Sequence, residues 1–567
     1  MIAFRRARDD IAVSAGPPDG GTQGKAESWL AGWRPYGLLV LICLALYLPG
    51  IAALAPFDRD ESRFMQASRQ MLETGDVIAI RFQEEARNKK PVGIYWLQAA
   101  SVALFSDAAA TARWPYRIPS VLGAIAAVLA TFAAGVALFD RRTAFLGAAM
   151  LATSLLLMVE AHLAKTDACL LGATTIALAA LARLYAADRC GPPAGRGTAL
   201  LFWAALGVGI LLKGPVTVMV AGLTLAATAW ADRDRRWLRR LWPLAGVPLM
   251  AAIVLPWVIA IGVATQGQFF AESVGGDLIP KLIGGQESHG APPGFYLLLV
   301  SLTFWPASFF LLPSLVRAWR NRRIPAFVFL LAWLVPSWLV FELVPTKLPH
   351  YVLPTYPALA LLMAAAAVAG GEAVRRRWTW TWALWSGGVA LFGGGLIAVP
   401  FIVGDGFAAA SIPAALALWT GAVLVWRYMR SGDAMRGAVA ALASSAVACA
   451  FAFALIVPRL DALWVASRVA AAIGERGTAV ASVGFHEPSL VFMLGTRTAL
   501  LDSPDDAARF MASRPDAVAV IDAPAAAAFE AAAARLGRPV AVLDRIEGIN
   551  YSNGRRVSLA LYRAARS

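Results

Sequence analysis

Charged residues are scarce in this sequence. Only 15% of its 567 residues are Asp, Glu, Lys or Arg, 59% are hydrophobic, and apolar runs of about twenty residues recur along most of the chain. A soluble fold cannot bury so many unbroken apolar runs, so a soluble multidomain enzyme is excluded and a polytopic membrane protein is expected. Cysteine and histidine are rarer still, with four of each. Cys43, Cys169 and Cys449 lie in apolar runs and Cys190 in a short basic loop, with no metal-binding spacing among them and no basis for a disulfide framework. Acidic residues number 36 against 51 basic ones, a net charge of +15. In a soluble protein that excess would suggest nucleic acid. Here Lys and Arg cluster in short loops between apolar runs, where they orient a chain in a membrane, so no nucleic-acid partner is expected. The polar first thirty residues contain no apolar core of a signal peptide, and residues 1–35 are expected to form a disordered cytoplasmic tail.

Fourteen apolar runs lie between residues 36 and 457. The basic loops among them share the side of the basic N-terminus only if one run between residues 56 and 115 does not cross. Residues 93–106 are the run to remove, because about fourteen residues fall short of the roughly twenty a spanning helix needs. Thirteen crossings are then expected, with a cytoplasmic N-terminus and an external C-terminus. The first external loop, residues 56–114, should carry interfacial helices at 62–72 and 93–106. A second, at 264–293, contains Gly275, Gly276, Gly284, Gly285 and Gly290 and predicts a mobile lid. Beyond the transmembrane part, 36–458, short β-like runs at 479–484, 517–521, 539–543 and 557–562 alternate with Ala-rich helical stretches. This predicts a small external α/β domain over 459–567, with a hairpin turn at 550–554 and a helix starting at Pro488 after His486-Glu487. The expected fold class is a mainly α polytopic membrane protein with a small C-terminal α/β domain.

Charge concentrates unexpectedly in residues 57–96, just after the first apolar run. Asp60 and Glu61 sit where a helix should begin, as caps or as free carboxylates. Arg63 follows, and Lys89-Lys90-Pro91 precedes Tyr95-Trp96. Further on come Lys165-Thr166-Asp167, Leu212-Lys213-Gly214-Pro215, His289 ahead of Pro292-Pro293-Gly294-Phe295-Tyr296, and Thr346-Lys347-Leu348-Pro349-His350-Tyr351. Lys213 interrupts 33 nearly continuous apolar residues at a Gly-Pro break, which aims it into whatever the turn lines.

In this order the motifs resemble the integral-membrane glycosyltransferases of the GT-C type, the superfamily of the aminoarabinose (lipid A) transferases and protein O-mannosyltransferases (glycosyltransferase family 39-like), over residues 36–370. The resemblance implies a GT-C fold and transfer of a monosaccharide from a polyprenyl-phosphate donor to an envelope acceptor on the periplasmic face of the bacterial inner membrane, by inversion. The acceptor it implies is a lipid or glycolipid, lipid A or the lipopolysaccharide core. It assigns Asp60 and Asp167 to catalysis, and Glu61, Arg63, Lys89, Lys90, Lys213, Lys347 and Tyr351 to substrate binding. In the aminoarabinose transferases His289 would be a metal ligand together with a Glu of a Glu-Lys-Pro motif. Lys89 stands where that Glu would be, so no cofactor is assigned, and a divalent metal requires Glu84, Glu85 or Glu287 instead. Two other functions fit the same pattern. One is a protein O-mannosyltransferase; the other, a transporter or flippase of lipid-linked sugar, would place charges near the bilayer midplane rather than at one face.

Overall fold

The computed structural model describes residues 30–107, 110–187, 189, 194–284, 290–370, 378–474 and 477–565. His289, Glu287, Cys190 and nearly all of the N-terminal tail lie outside them. Among the described residues nine helices are long and apolar enough to cross a membrane. A tenth span forms if Arg141–Ala152 and Leu155–Ala161, which bend by 60° at their junction, count as one. The thirteen expected crossings are reached only by adding the shorter Arg34–Tyr47 and Val216–Ala231 and the broken pair Phe295–Thr303 and Leu311–Arg320. Local breakers shorten these spans. At Gly214 the backbone turns to φ +64°, and Pro215 caps the next helix.

The helix Gly93–Phe105 has 13 residues. At about 1.5 Å per residue it reaches about 20 Å, against a hydrocarbon core of about 30 Å. It packs closely on Arg196–Lys213, since a Cβ on Gly93 would stand 2.7 Å from the carbonyl oxygen of Leu211.

The charged stretch after the first span folds as the helix Arg59–Thr74. Its N-cap is Asp58, whose Oδ1 accepts from the amides of Asp60 at 2.7 Å and Glu61 at 3.1 Å. Asp60 is therefore not the cap, and its carboxylate is left for other work. Nor does the helix keep a bare polar face, as an interfacial helix would. Gln66, Arg69 and Gln70 are buried, because the helix Pro488–Leu494 of the C-terminal unit lies over them. Arg69 Nη1 donates to Phe492 O at 2.7 Å, and Gln66 Nε2 donates to Thr496 Oγ1 at 2.7 Å.

The segment expected to be a loose lid is wound into Gln268–Phe270, Ala271–Leu278 and Ile279–Ile283, the middle one with π-helical hydrogen bonding. Thr346 Oγ1 donates to Gly284 O at 3.0 Å, and Gly290 bridges to Thr346, so the C-terminal end of the segment meets Thr346.

The C-terminal unit contains a five-stranded sheet in the order Ala499–Leu501, Val480–Val483, Val518–Asp522, Arg556–Ala564, Val540–Ile549. The first three strands are parallel and the last two antiparallel. Alternate residues of Val518–Asp522 enter two different apolar clusters, one with Val465 and Val469, the other with Phe529 and Ala532. Helices thus cover both faces of the sheet.

Candidate active site

A cavity of about 810 Å³ opens where seven separately encoded segments meet: residues 57–64, 87–90, 165–167, 213, 277–281, 346–351 and 551–553. Its wall carries Asp58, Asp60, Arg63, Arg87, Lys89, Lys90, Lys165, Asp167, Lys213, Asp277, Lys281, His350 and Tyr351. A second cavity of about 340 Å³, between the 295–312 region and Thr379–Val403, is lined by Trp305, Phe309, Trp380, Trp385 and Phe392 and holds no titratable group. Of these two, the first carries the titratable groups, and an adjoining cavity of about 400 Å³ shares Arg59, Arg63, Arg87, Lys89 and Asp277 with it.

Asp60 sits at its floor with its side chain half exposed, at 50%. Arg63 Nη1 lies 3.3 Å and Arg87 Nη2 3.5 Å from its Oδ1. Desolvation in the cleft raises its carboxyl pKa, but Arg87, Arg63 and Lys165 outweigh it and hold the group at about 2. Asp60 is ionised throughout the physiological range. Lys165, in the loop before Asp167–Ala186, lies 3.0 Å from Asp58 and 3.4 Å from Glu160. Burial opposes its charge, yet Glu160, Asp58 and Asp167 more than compensate and keep the ammonium protonated.

The next group is centred on Asp167. Its Oδ1 meets Lys213 Nζ at 2.5 Å and His350 Nε2 at 3.7 Å, and His350 Nδ1 lies 3.5 Å from Glu160. Lys213 also stands 5.1 Å over the ring of Tyr351. Thr166 makes no side-chain cap, so Asp167 is not held there for helix capping by its neighbour.

The third group joins Ala271–Leu278 and Ile279–Ile283 to the first loop. Asp277 receives Lys90 at 3.1 Å and Lys281 at 2.5 Å. Desolvation and the neighbouring Lys281 push Lys90 down to about 8, against the pull of Asp277. Three lysines, Lys90, Lys213 and Lys281, thus gather around one carboxylate-lined space. A dianionic phosphate would be met there by more ammonium groups than the local carboxylates need.

Of the residues singled out from the sequence, Asp60, Arg63, Lys89, Lys90, Asp167, Lys213 and Tyr351 share this wall. Glu61 does not. It is fully buried beneath the cavity, paired with Arg117 at 2.8 Å and accepting from the amide of Ala164 at 3.1 Å, so it is out of reach of any substrate. Lys347 is a second correction. Its ammonium turns away from the cavity and donates to Glu342 O at 2.9 Å and Val344 O at 2.5 Å, satisfying carbonyls at the end of Pro325–Leu343. His289 lies outside the described residues. Arg87, Asp277, Lys281, Glu160 and His350 join the site beyond those expected from the sequence. His350 offered a signal, as one of four histidines and inside a quoted motif. The others are brought in by tertiary packing alone.

Glu160, Asp167 and His350 offer ligand atoms within 4.8 Å of one another, a spacing that suits a divalent ion. The same oxygens already face ammonium groups: Glu160 Oε1 faces Lys165, and Asp167 Oδ1 faces Lys213. A metal would have to displace both, so the residues present do not fit one well.

Residues 37–269 match the family model described as dolichyl-phosphate-mannose-protein mannosyltransferase. Among curated relatives, the undecaprenyl phosphate-alpha-4-amino-4-deoxy-L-arabinose arabinosyl transferase of Edwardsiella ictaluri (strain 93-146) is 30% identical over 342 residues, covering 59% of each chain. The enzyme of the same name from Aeromonas hydrophila is 31% identical over 335 residues, 58% of this chain and 59% of its own. The matches therefore span under two thirds of these relatives' length. The crystal structure of ArnT from Cupriavidus metallidurans bound to undecaprenyl phosphate superposes with a TM-score of 0.70 at 22% identity, over 94% of this chain and 98% of that one. The oligosaccharyltransferase of Archaeoglobus fulgidus does so at 0.55 and 12% identity, over 87% and 70%. By these matches the chain is a multi-pass membrane protein that shares its fold with ArnT and is similar, over part of its length, to aminoarabinose transferases and protein mannosyltransferases.

Proposed function

We propose that the protein is a glycosyltransferase that moves a monosaccharide from a polyprenyl-phosphate donor to lipid A or the lipopolysaccharide core, on the periplasmic face of the inner membrane and with inversion. The observation that carries this reading is the single cavity in which an ionised, half-exposed Asp60 faces Lys90, Lys213 and Lys281. Inversion requires the acceptor oxygen to attack the anomeric carbon as the bond to the donor phosphate oxygen breaks. Polyprenyl phosphate then departs with the electron pair, and charge builds at two places. The lysines suit the departing phosphate, and Asp60 suits the positive character at the sugar carbon. Asp167 would serve through Lys213 and His350, which it holds in place. The arabinosyl transferase names of the relatives support an amino-pentose as the sugar.

A protein O-mannosyltransferase is the second reading, supported by the family model over residues 37–269. A flippase is disfavoured because the charged groups collect at one end of the helices. The two enzyme readings separate in mass spectra of envelope lipids and proteins from cells with and without the protein. An increment of one sugar on lipid A or core is expected. The same increment on protein alone, or none on either, would overturn the lipid assignment.

The site's placement also requires that residues 56–114 stay external, that the N-terminus be cytoplasmic, and that 459–567 lie on the outer side. Basic loops on one side and the 13-residue length of Gly93–Phe105 support this. A cysteine placed at Ser106 should react with an impermeant thiol reagent added outside. Reaction only from the cytoplasmic side would invert the scheme.

A further inference from the structure

The cavity has a wall that the transmembrane part does not supply. Tyr551, Ser552 and Asn553, the turn between Val540–Ile549 and Arg556–Ala564, line it together with Phe57, Asp58 and Arg59. The turn is tightly built: Asn550 N donates to Arg555 O at 2.8 Å, Gly554 N donates to Asn550 O at 2.8 Å, and Gly554 takes φ +71°, which glycine adopts without strain. It is also anchored from behind. Glu487, 5% exposed, accepts from Asn550 Nδ2 at 2.9 Å and Ser552 Oγ at 2.8 Å, while its other oxygen lies 3.1 Å from Arg59 Nε. One buried carboxylate thus fastens the C-terminal turn to the residue next to the helix cap Asp58.

The chemistry of this wall differs from that of the remaining wall. Lys90, Lys281 and Lys213 gather with Asp277 and Asp167 elsewhere on the lining. The turn side presents the ring of Tyr551, whose hydroxyl is buried, the Ser552 hydroxyl, whose proton goes to Glu487, and the exposed amide of Asn553. Neutral donors and acceptors of this kind suit the hydroxyls of a sugar ring, whereas clustered ammonium groups suit a phosphate.

We infer that the turn 550–554 is the acceptor-binding wall of the site, that it holds the sugar portion of a glycolipid acceptor, and that Glu487 is its positioning residue. This rests on the glycosyl-transfer reading for the identity of the acceptor, but not for the division of the cavity. The test is equilibrium binding of two lipids, lipid A and undecaprenyl phosphate, to the purified full-length protein in nanodiscs. Asn553→Ala, which removes an exposed side chain, is expected to weaken lipid A roughly tenfold, the effect of one or two lost neutral hydrogen bonds, and to leave undecaprenyl phosphate within about twofold. Glu487→Gln should shift the same constant in the same direction. The inference is overturned if lipid A binding is unchanged in both Asn553→Ala and Ser552→Ala, if both lipids weaken together, or if the wild-type protein does not bind lipid A. Turn-dependent lipid A binding without any sugar transfer would instead sink the transferase reading and leave the turn's role standing.

Discussion

Replacing Asp60 by Asn is expected to leave the protein folded and able to bind undecaprenyl phosphate, while sugar transfer falls at least about a hundredfold. The fold should survive because Asp58, not Asp60, caps the helix. Asp60 is half exposed, against 27% for Arg63 and 11% for Arg87, and ion pairs whose carboxylate stays open to solvent contribute about 0–1 kcal/mol. Donor binding should persist or tighten, since a carboxylate about 4 Å from a phosphate charge costs roughly 4 kcal/mol at an effective dielectric of 20. A site that keeps this charge beside an anion uses it in the transition state. Held at about 2, Asp60 is a weak base for a hydroxyl proton, so the structure favours a role in stabilising positive character at the anomeric carbon. Removing one such preorganised group costs on the order of a hundredfold to a thousandfold in turnover. The measurement is turnover of purified Asp60→Asn protein alongside its unfolding midpoint and its affinity for undecaprenyl phosphate. Near-normal turnover would return Asp60 to a merely structural charge.

Much of this architecture is legible in the chain because its signals are local. Apolar runs of about twenty residues announce the spans, Gly214-Pro215 announces the break that exposes Lys213, and alternating short apolar runs announce the C-terminal sheet. What is not legible depends on where a side chain turns in three dimensions. Asp58 and Asp60 sit two residues apart, and either could cap a helix; only the extended backbone at Asp58, φ −131° and ψ 133°, decides between them. Lys213 ends an apolar helix and Lys347 follows one. Lys213 leans across to Asp167, whereas Lys347 folds back on carbonyls at the end of Pro325–Leu343, a turn that its motif does not announce. Glu160 closes an apolar run and looks like an interfacial anchor until His350, 190 positions later, arrives 3.5 Å away. The hairpin at 550–554 is announced by its Asn and Gly residues, but its arrival at the cavity wall is a matter of how the C-terminal unit docks on Arg59–Thr74.

Glu61→Ala should do the reverse of Asp60→Asn, removing the fold before it removes the chemistry. Glu61 and Arg117 are both fully buried, with Arg117 Nε 2.8 Å from Glu61 Oε1. The guanidinium also donates to the carbonyls of Ile51 at 2.8 Å, Leu54 at 2.9 Å and Ala55 at 3.2 Å, at the turn that follows the first apolar helix. Glu61 in turn accepts from the amide of Ala164, next to Lys165. One pair therefore ties the helix that carries Asp60, the first turn of Trp114–Leu138 and the loop that carries Lys165. Removing one partner leaves the other as an uncompensated buried charge, a loss of about 3–5 kcal/mol. Glu61→Gln keeps an oxygen for Arg117 and the Ala164 amide and should cost less, since only the charge is lost. In a double-mutant cycle, Glu61→Ala and Arg117→Ala should be strongly non-additive, the second change adding little once the first has broken the pair. The readout is the unfolding midpoint of the detergent-purified variants. A Glu61→Ala protein with an unaltered midpoint and lowered transfer would mean that the carboxylate reaches substrate after all, and the buried geometry would have to open during turnover.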